Sequence, residues 1–552
     1  MKFSKLTLAI ATTLGASASF SAFAIELYVD TKTKQIYAEP GPGRVSMGSF
    51  EQVKEAPAKI AAPVAVPAEI DAMKQDLELK TNEIKALQEH AAEATKPDAV
   101  EVKLDDGIHF KTRDGNFSAG INGRIQVDSQ VNVTDQVNDP NPFINAASTT
   151  NKLDDGVGIR RARLGVEGTF FKDTDYKFEY DFTRGNGTTG AGVTDAFIRY
   201  NFSKPFSIKA GAFKEPFSLE EATSNRYITF IERNMITNTF VDNLNTYKVG
   251  LGANYAAERW GVATSIQTEP VGNNGASNSA TYTTNGGITT VNPNGGSNRS
   301  NGSGDTNYEF NLRGYGLPWF DSKSKFLHVG ASGSYVNVNN NYQAGGTFNN
   351  GGISFASNPD TNVDRTNTLN TGNLSFIPIN TNGTLNYNGA READHFWRFG
   401  AETAMVYGPF SAQAEYIQAN IDGKGYNGNT LNGGYVYMTY FLTGESRAYK
   451  ARTGAWDRIK PNHNFDMKGG WGAWEVATGY DAIDLNSGVI QAGKQSTFKV
   501  GLNWYPNSHL RVMANYIHLL DLDTNAYKAT SRERAFNDAN LDIIETRVQV
   551  DW

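Results

Sequence analysis

Residues 543–552 read Ile-Ile-Glu-Thr-Arg-Val-Gln-Val-Asp-Trp, and this stretch decides the fold. Ile544, Thr546, Val548, Val550 and Trp552 share one parity, whereas the residues between them are Glu, Arg, Gln and Asp. Successive side chains of a β-strand point to opposite faces, so one face is apolar and the other strongly polar. The alternation recurs along most of the chain, which predicts an all-β transmembrane barrel with lipid outside and a polar lumen inside.

The N-terminus predicts export. Residues 1–5 are basic, residues 6–15 are apolar, and Ala22-Phe23-Ala24 is a cleavage site of the small-x-small type. We therefore expect a signal peptide over 1–24. The alternative, a membrane anchor, needs a longer apolar stretch, and no later segment has 18 to 20 uninterrupted apolar residues. Only a closed barrel can then span a bilayer, which predicts the bacterial outer membrane as the location.

Composition excludes several function classes. The chain has 552 residues, no Cys and a net charge of -7. These values argue against thiol catalysis, Cys-ligated metals and a nucleic-acid partner. The seven His residues show no metal-binding spacing. The adjacent carboxylates Glu220-Glu221 and Asp154-Asp155 are typical of solvated surfaces rather than of catalytic or metal sites. We expect no enzyme activity, cofactor or metal.

Four regions are predicted along the chain. Residues 1–24 form the signal peptide, 25–67 a small hairpin and a Pro/Ala-rich linker, 68–110 a helical coiled-coil segment and linker, and 111–552 the barrel. In the helix, Ile70, Met73, Leu77 and Ile84 follow spacings of three and four, interrupted by Lys80. This pattern leaves two alternatives open, a single solvated helix and a short coiled coil between subunits.

The barrel is predicted to have about 16 antiparallel strands, with 14 or 18 as the alternatives, and such a number leaves an aqueous channel. The expected strands are 116–130, 157–171, 174–184, 192–202, 205–214, 246–257, 259–268, 306–316, 325–338, 396–406, 410–419, 432–442, 471–483, 495–505, 509–519 and 542–552.

One connection between strands differs from the others. Most long connections are rich in Gly, Asn, Thr and Ser, but residues 215–245 contain Phe217, Leu219, Tyr227, Phe230 and Ile231. An exposed loop rarely carries so much apolar area. We expect this connection to fold into the lumen and narrow the pore. An outer loop packed on its neighbours is the alternative.

Motifs in this connection resemble a known family. Residues 211–221 (GAFKEPFSLEE) and 223–233 (TSNRYITFIER) are similar to the phosphate- and polyphosphate-selective porins, as are 159–163 (IRRAR), 440–447 (YFLTGESR), 472–475 (GAWE) and 501–506 (GLNWYP). The resemblance covers the whole barrel. It implies a homotrimer of 16-stranded barrels, each an anion pore with a ladder of arginines, and some members carry an N-terminal helix.

The resemblance implies particular pore arginines. Arg124, the pair Arg160-Arg161 and Arg233 stand in the family's anion-binding contexts. Strand parity independently turns Arg124, Arg161 and Arg163 toward the lumen. Arg160 has the lipid parity, so it must lie at a strand end, at a subunit contact or in a bulge.

Glu221 departs from the family pattern. Selective members carry a lysine there, and a carboxylate near a constriction repels anions by several kcal/mol at about 6 Å and an effective dielectric of roughly 20. We expect Glu221 to weaken phosphate specificity. Arg226 could compensate by pairing with Glu221 or by replacing the lost cation.

The sequence therefore predicts a passive outer-membrane porin for small hydrophilic solutes, chiefly anions such as phosphate or polyphosphate. A general non-selective porin is the alternative, and an adhesin or receptor barrel is a third. The expected partners are outer-membrane lipid or lipopolysaccharide, the other subunits of a homotrimer and small solutes.

Overall fold

The computed structural model describes most of the barrel and part of the N-terminal region. The described residues are 25–31, 36–37, 39–50, 67–93, 99–104, 107–136, 153–183, 192–241, 247–271, 279–285, 288–294, 308–338, 348–349, 353–375, 390–524 and 532–552. The predicted signal peptide and most of the predicted Pro/Ala linker lie outside these residues.

The chain divides into two compact units, of which the first ends at Ala91. In it, β1 (Ile25–Asp30) pairs with β2 (Ile36–Tyr37) and β3 (Arg44–Phe50) in a small antiparallel sheet. A long helix follows, α1 (Pro67–Glu93), whose residues 71–89 are all exposed. Among the described residues, no helix combines the length and the apolar character needed to cross a membrane.

The second unit, Ala92–Trp552, contains the barrel. It begins with a hairpin of β4 (Val100–Lys103) and β5 (Ile108–Thr112). The sixteen strands of the closed ring are β6 (Phe117–Gln136), β7 (Gly156–Phe170), β8 (Thr174–Asp181), β9 (Val193–Asn201), β10 (Phe206–Lys214), β11 (Tyr247–Ala256), β12 (Trp260–Pro270), β15 (Tyr308–Ser322), β16 (Lys325–Asn337), β20 (Glu392–Tyr407), β21 (Phe410–Lys424), β22 (Tyr426–Phe441), β25 (Ala473–Ser487), β26 (Ile490–Asn507), β27 (Leu510–Asp523) and β28 (Asn540–Asp551).

Short elements lie in the connections. They are β13 (Ser279–Asn285), β14 (Ile288–Asn294), β17 (Phe348–Asn349), β18 (Ala356–Ser357), β19 (Leu369–Asn370), β23 (Tyr449–Lys450), β24 (Ala455–Trp456), α2 (Leu219–Ala222), α3 (Met235–Phe240) and α4 (Arg532–Ala535).

The ring closes between its first and last strands. Asp551 of β28 pairs with Arg124 of β6, and the ladder continues to Asn540 opposite Gln136. The prediction of a closed 16-stranded antiparallel barrel is confirmed, and each predicted strand overlaps one strand of the ring. The hairpin β4–β5 lies where the sequence predicted a linker, and it extends the sheet by pairing Ile108 with Ile121 of β6.

The alternation of apolar and polar residues determines which side chains of the wall face outward and which face inward. In β28, Ile544 is 42% exposed and Val548 is 47% exposed, whereas Glu545 and Arg547 are each 1% exposed. The apolar residues face outward and the charged residues inward. A closed barrel with this arrangement presents lipid with apolar side chains and removes the charges from it.

The two ends of the barrel differ. At the turn end, which carries Trp552, connections are short, such as 408–409 and 508–509. At the loop end, most connections are long, including 271–307 and 338–391. One connection breaks the rule, because residues 442–472 join β22 to β25 at the turn end.

In the part of the chain that the structure describes, three connections enter the lumen. We name them the first insert (215–241), the second insert (353–375) and the third insert (442–472). Phe240 of the first insert packs on Phe355 of the second, and both belong to a hydrophobic cluster that reaches Ile417 on the wall. The prediction that residues 215–245 fold inside the barrel is confirmed for the described residues 215–241.

Two glycines make room for the first insert. Phe230 is 2% exposed, and its ring lies where a Cβ on Gly479 or Gly501 would come within 3.2 Å of it. The ring also packs edge-on against Tyr437 at 5.7 Å between centroids. The fit of this ring therefore holds the first insert in place, because a larger residue at Gly479 or Gly501 would displace the ring.

We expect Phe230→Ala to destabilise the folded barrel and to loosen the first insert. Removal of a buried Phe ring costs about 3–5 kcal/mol. The folded band in heat-modified gel electrophoresis should be lost at a lower temperature, and single-channel conductance should rise. Phe182→Ala, at an outward ring that is 65% exposed, is the matched control. Equal unfolding temperatures for the two variants would contradict this seating.

Candidate functional site

A bulge brings two consecutive arginines into the lumen. In the β6–β7 ladder, Gln126 pairs with Arg161 and Val127 pairs with Ile159, which leaves Arg160 as the extra residue. The bulge changes the direction of Arg160, so that it binds Glu232 of the first insert through Nε at 2.9 Å and a second nitrogen at 3.2 Å. The sequence allowed a strand end, a subunit contact or a bulge for Arg160, and the structure places it in a bulge.

Three guanidinium groups surround the Glu232 carboxylate. Besides Arg160, Arg161 lies 3.6 Å away and Arg547 of β28 lies 3.1 Å away. Arg547 in turn binds Asp128 at 2.7 Å. Burial alone would raise the pKa of the Glu232 carboxyl, but the three guanidinium groups hold that pKa well below its usual range.

Glu179 organises a second group of arginines. Its carboxylate accepts from Arg124 at 2.6 Å and from Arg163 at 2.9 Å. Arg163 also binds Asp181 at 2.7 Å. Arg226, from the first insert, reaches within 3.9 Å of Glu179. The predicted residues Arg124, Arg163 and Arg226 are thus brought together around one carboxylate.

Arg124 and Arg226 also contact amide side chains. Arg124 donates to the Asn225 side chain, and Arg226 donates to Asn122 Oδ1 at 3.3 Å. The first insert therefore touches β6 through two consecutive residues, Asn225 and Arg226. These contacts fix the insert beside the arginines of the wall.

Glu221 has different partners from those expected. Its carboxylate lies 2.8 Å from Lys214 Nζ and 3.2 Å from Arg233 Nε, and the side chain has no exposed surface. Of the two ways in which Arg226 could compensate, pairing with Glu221 does not occur, because Arg226 extends toward Asn122 and Glu179 on the wall. The negative charge of Glu221 is compensated within the protein, and Arg233 is occupied by it.

Several buried donors have no acceptor in the protein. Within the described part of the chain, Arg124 Nε, Arg161 Nε, Arg226 Nε and Asn122 Nδ2 are buried without a hydrogen-bond partner. All four are N–H donors, and all belong to β6, β7 or the neighbouring first insert. A buried donor left unpaired costs about 1–3 kcal/mol, so these four donors favour an acceptor beside β6.

Carboxyl groups are numerous among the buried residues. The buried Asp and Glu residues of the described chain outnumber the buried Lys and Arg residues. Buried acceptors without a protein partner also occur, at Asp360, Asp481 and Glu545, on the second insert and on β25 and β28. Unpaired donors also occur away from β6, at Arg447 in the third insert and at Arg511 on β27, but they are most numerous beside β6.

The sequence did not identify two further clusters. Arg398 of β20 binds Glu215 of the first insert through two nitrogens, each at 2.8 Å, and Lys248 lies 3.3 Å from the same carboxylate. Strand parity could have found Arg398, since the outward residues Trp397 and Phe399 flank it.

The second cluster holds the third insert. Arg313 binds Glu402 at 2.7 Å and donates to the carbonyl oxygens of Thr453 and Gly454. In the sequence, the aromatic content of residues 449–456 could have indicated that the third insert is buried. Among the described residues, no group of three or more His, Asp or Glu side chains is arranged to hold a metal ion.

The chain is similar to several known proteins. A family model described as "Phosphate-selective porin O and P" matches residues 139–552. "Porin O" of Pseudomonas aeruginosa is 27% identical over 431 residues, which cover 75% of this chain and 86% of that protein. A protein of Caulobacter vibrioides described as "Uncharacterized protein" is 27% identical over 506 residues, with 91% and 86% covered. The solved structure of OmpT of Vibrio cholerae superposes with a TM-score of 0.44 at 11% identity and covers 82% of this chain and all of that one.

We expect Glu232→Gln to lower the free energy of unfolding at neutral pH by about 3–5 kcal/mol, because three arginines lose a shared buried partner. The pKa of Glu232 is depressed in the folded state, so its stabilisation is complete above the unfolded pKa of about 4.5 and is lost as pH falls below it.

The measurement is denaturant unfolding of wild type and variant in vesicles at pH 7 and at pH 3. The difference between the two proteins should shrink at pH 3. Glu258→Gln, at an exposed turn, should have no effect at either pH. A difference that stays constant with pH would contradict the role given to the carboxylate.

Proposed function

Because the chain belongs to the phosphate-selective porin O and P family, we propose that its pore passes small hydrophilic solutes with a modest preference for anions. The protein is a porin channel of the bacterial outer membrane. The turn end of the barrel is accordingly periplasmic and the loop end extracellular. The proposal concerns which solutes pass and which residues select them.

One observation carries the anion preference. The unpaired N–H donors of Asn122, Arg124, Arg161 and Arg226 lie on neighbouring elements, and three of them belong to guanidinium groups. Guanidinium groups at a constriction attract anions and bind oxyanions in fixed geometry. These residues are the proposed anion-selecting side of the pore, together with Arg160, Arg163 and Arg233.

Two observations keep the proposed preference modest. Arg233 is paired with Glu221, and Arg160 and Arg161 share Glu232, so these guanidinium groups are partly compensated. Buried carboxylates also outnumber buried Lys and Arg. A tight phosphate site needs uncompensated positive charge, and the surplus of carboxylates favours a general pore as the second candidate.

Assembly is part of the proposal. β8, β9 and β10 have only 8 or 9 residues, whereas β25 and β26 have 15 and 18. The short strands form the low side of the wall, and Phe178 and Ile198 are exposed on it. We propose that the low side is the subunit contact of a homotrimer, and that lipid or lipopolysaccharide surrounds the remaining wall.

We further propose that α1 forms a short coiled coil in this trimer. Met73, Leu77, Ile84 and Leu87 of α1 are each more than half exposed in one chain. An apolar stripe of this kind is stabilised when helices of other subunits cover it. The proposed regions are a signal peptide (1–24), a hairpin and linker (25–67), a coiled-coil segment and linker (68–110) and the porin domain (111–552).

Reversal potentials in a KCl gradient test the selectivity. We expect Glu221→Gln to shift them toward anions, because Lys214 and Arg233 lose their carboxylate, and Glu221→Lys to shift them further. Arg226→Gln should shift them the other way. Glu392→Gln, outside the inserts, is the control. Block of chloride current by micromolar phosphate in the unmodified protein would instead establish a tight phosphate site.

Deletion of residues 25–91 tests the role of the N-terminal unit. Because the barrel ring begins at β6 and its supporting hairpin at Val100, we expect the deleted protein to insert and conduct with unchanged conductance per barrel. A deletion that extends to Thr112 removes the hairpin and should lower the unfolding temperature. If the shorter deletion inserts but does not conduct, the N-terminal unit belongs to the pore.

A further inference from the structure

We propose that Lys499 is a positioning residue of the channel, because it ties the first insert and the second insert to the same point of the wall. Lys499 belongs to β26 and is 1% exposed. The outward residues Phe498 and Val500 flank it, so its side chain enters the lumen. The proposal concerns the position of the second insert, and it does not depend on which ions the pore prefers.

The Lys499 ammonium group has partners on three different parts of the chain. Its Nζ lies 2.6 Å from Asn234 Oδ1 of the first insert and 3.1 Å from Asp360 Oδ2 of the second insert. The third partner is Asp481 Oδ2 of β25, at 3.4 Å. An ammonium group carries three N–H donors and no acceptor. Each of the three parts therefore receives one donor, and the two inserts meet at a single charge.

The first insert presents a fixed acceptor to this charge. Asn234 donates through Nδ2 to Glu220 Oε1 at 2.8 Å, and its backbone N–H donates to Glu220 Oε2 at 3.1 Å. Because Glu220 binds the amide nitrogen, the amide oxygen is left to face Lys499. Both residues belong to the first insert, so this side of the junction is held from within the insert.

The second insert reaches the junction through a bend at Pro359 and Asp360. The φ angle of Asp360 is 62°, in the left-handed region that Asp adopts more readily than most residues. Asp360 Oδ2 also accepts a hydrogen bond from Thr497 Oγ1 at 2.8 Å, and the next residue, Thr361, is 1% exposed. The bend is therefore buried against β26, with its carboxylate directed at Lys499.

The junction holds two carboxylates for one ammonium group. In the part of the chain that the structure describes, Lys499 is the cation within 4 Å of both Asp360 and Asp481. The other oxygen of each carboxylate is buried without a hydrogen-bond partner. Without the ammonium group, two buried carboxylates would lie side by side with no opposite charge, which is strongly unfavourable.

Only one of these carboxylates can move away easily. Asp481 lies in β25, which is paired with β22 on one side and with β26 on the other. Asp360 lies between β18 and β19, which pair only with each other within the described residues. Loss of the Lys499 charge should therefore displace the bend of the second insert into the aqueous lumen and leave the wall in place.

Cysteine labelling of the full-length protein tests this position directly. The chain has no Cys, so Thr361→Cys introduces a single thiol at the buried bend. In this background, Lys499→Met should make the thiol react with a charged thiol reagent at least about tenfold faster, because labelling follows the population of the open form. Single-channel conductance should rise in the same variant.

Asp360→Gly tests the junction from the second insert. Glycine adopts a positive φ without strain, and Lys499 keeps Asp481 as its partner, so this variant leaves no unpaired charge. It should also speed the labelling of Thr361→Cys, and the double variant with Lys499→Met should add little to either single variant. Asp481→Asn leaves the pair of Lys499 with Asp360 intact and should not speed the labelling.

Lys248→Met is the matched control. Lys248 is a buried lysine of β11, and it lies 3.3 Å from Glu215 of the first insert and 2.5 Å from Glu309 of β15. The variant removes a buried lysine between the wall and an insert, as Lys499→Met does, but its partners are not on the second insert. We expect a lower unfolding temperature without faster labelling of Thr361→Cys.

Two results would overturn the proposal. One is equal labelling of Thr361→Cys with Lys499 and with Met at that position. The other is an equal increase in Lys248→Met, because Lys499 would then act only through general stability. Labelling requires no current, so a failure of the proposed anion preference in the Arg226 variant leaves this proposal standing.

Discussion

The interior of this barrel depends on one constraint: a charge held away from water must meet an opposite charge. Several kcal/mol per ion are lost when a charged group is buried without a partner. Glu232, placed in the lumen by the first insert, meets three arginines from two different strands. Glu215 meets Arg398 in the same way. These pairs join the first insert to the wall at several separate points, so the position of the insert in the lumen is fixed by electrostatics as well as by apolar packing.

The same pairing sets a limit on selectivity. An arginine that neutralises a buried carboxylate contributes little field to a passing ion, because the two charges nearly cancel at a distance. In the proposed function, the anion preference therefore comes from N–H groups that have no hydrogen-bond partner in the protein, such as the Nε atoms of Arg124 and Arg226. On this proposal, the number of arginines along the pore is a poor guide to its selectivity, because most of them are paired with carboxylates.

Much of the fold could be predicted because a strand has a period of two. Sixteen strands and the inward placement of residues 215–241 follow from alternation and from apolar content. Arg160 could not be placed, because a bulge shifts the period by one and leaves no mark in the residue types. The third insert was missed for a different reason: periplasmic turns of barrels are expected to be short. The partners of Glu221 depend on the path of the insert, which local sequence does not determine.

Alternation also makes the two faces of the wall independent. On β25, Asp481 and Ile483 face the inserts, while Tyr480, Ala482 and Asp484 face the surroundings. A substitution at one parity leaves the other face in place, because the backbone ladder between them does not change. The charges that hold the inserts and the apolar groups that face lipid can therefore lie on the same strand without affecting one another.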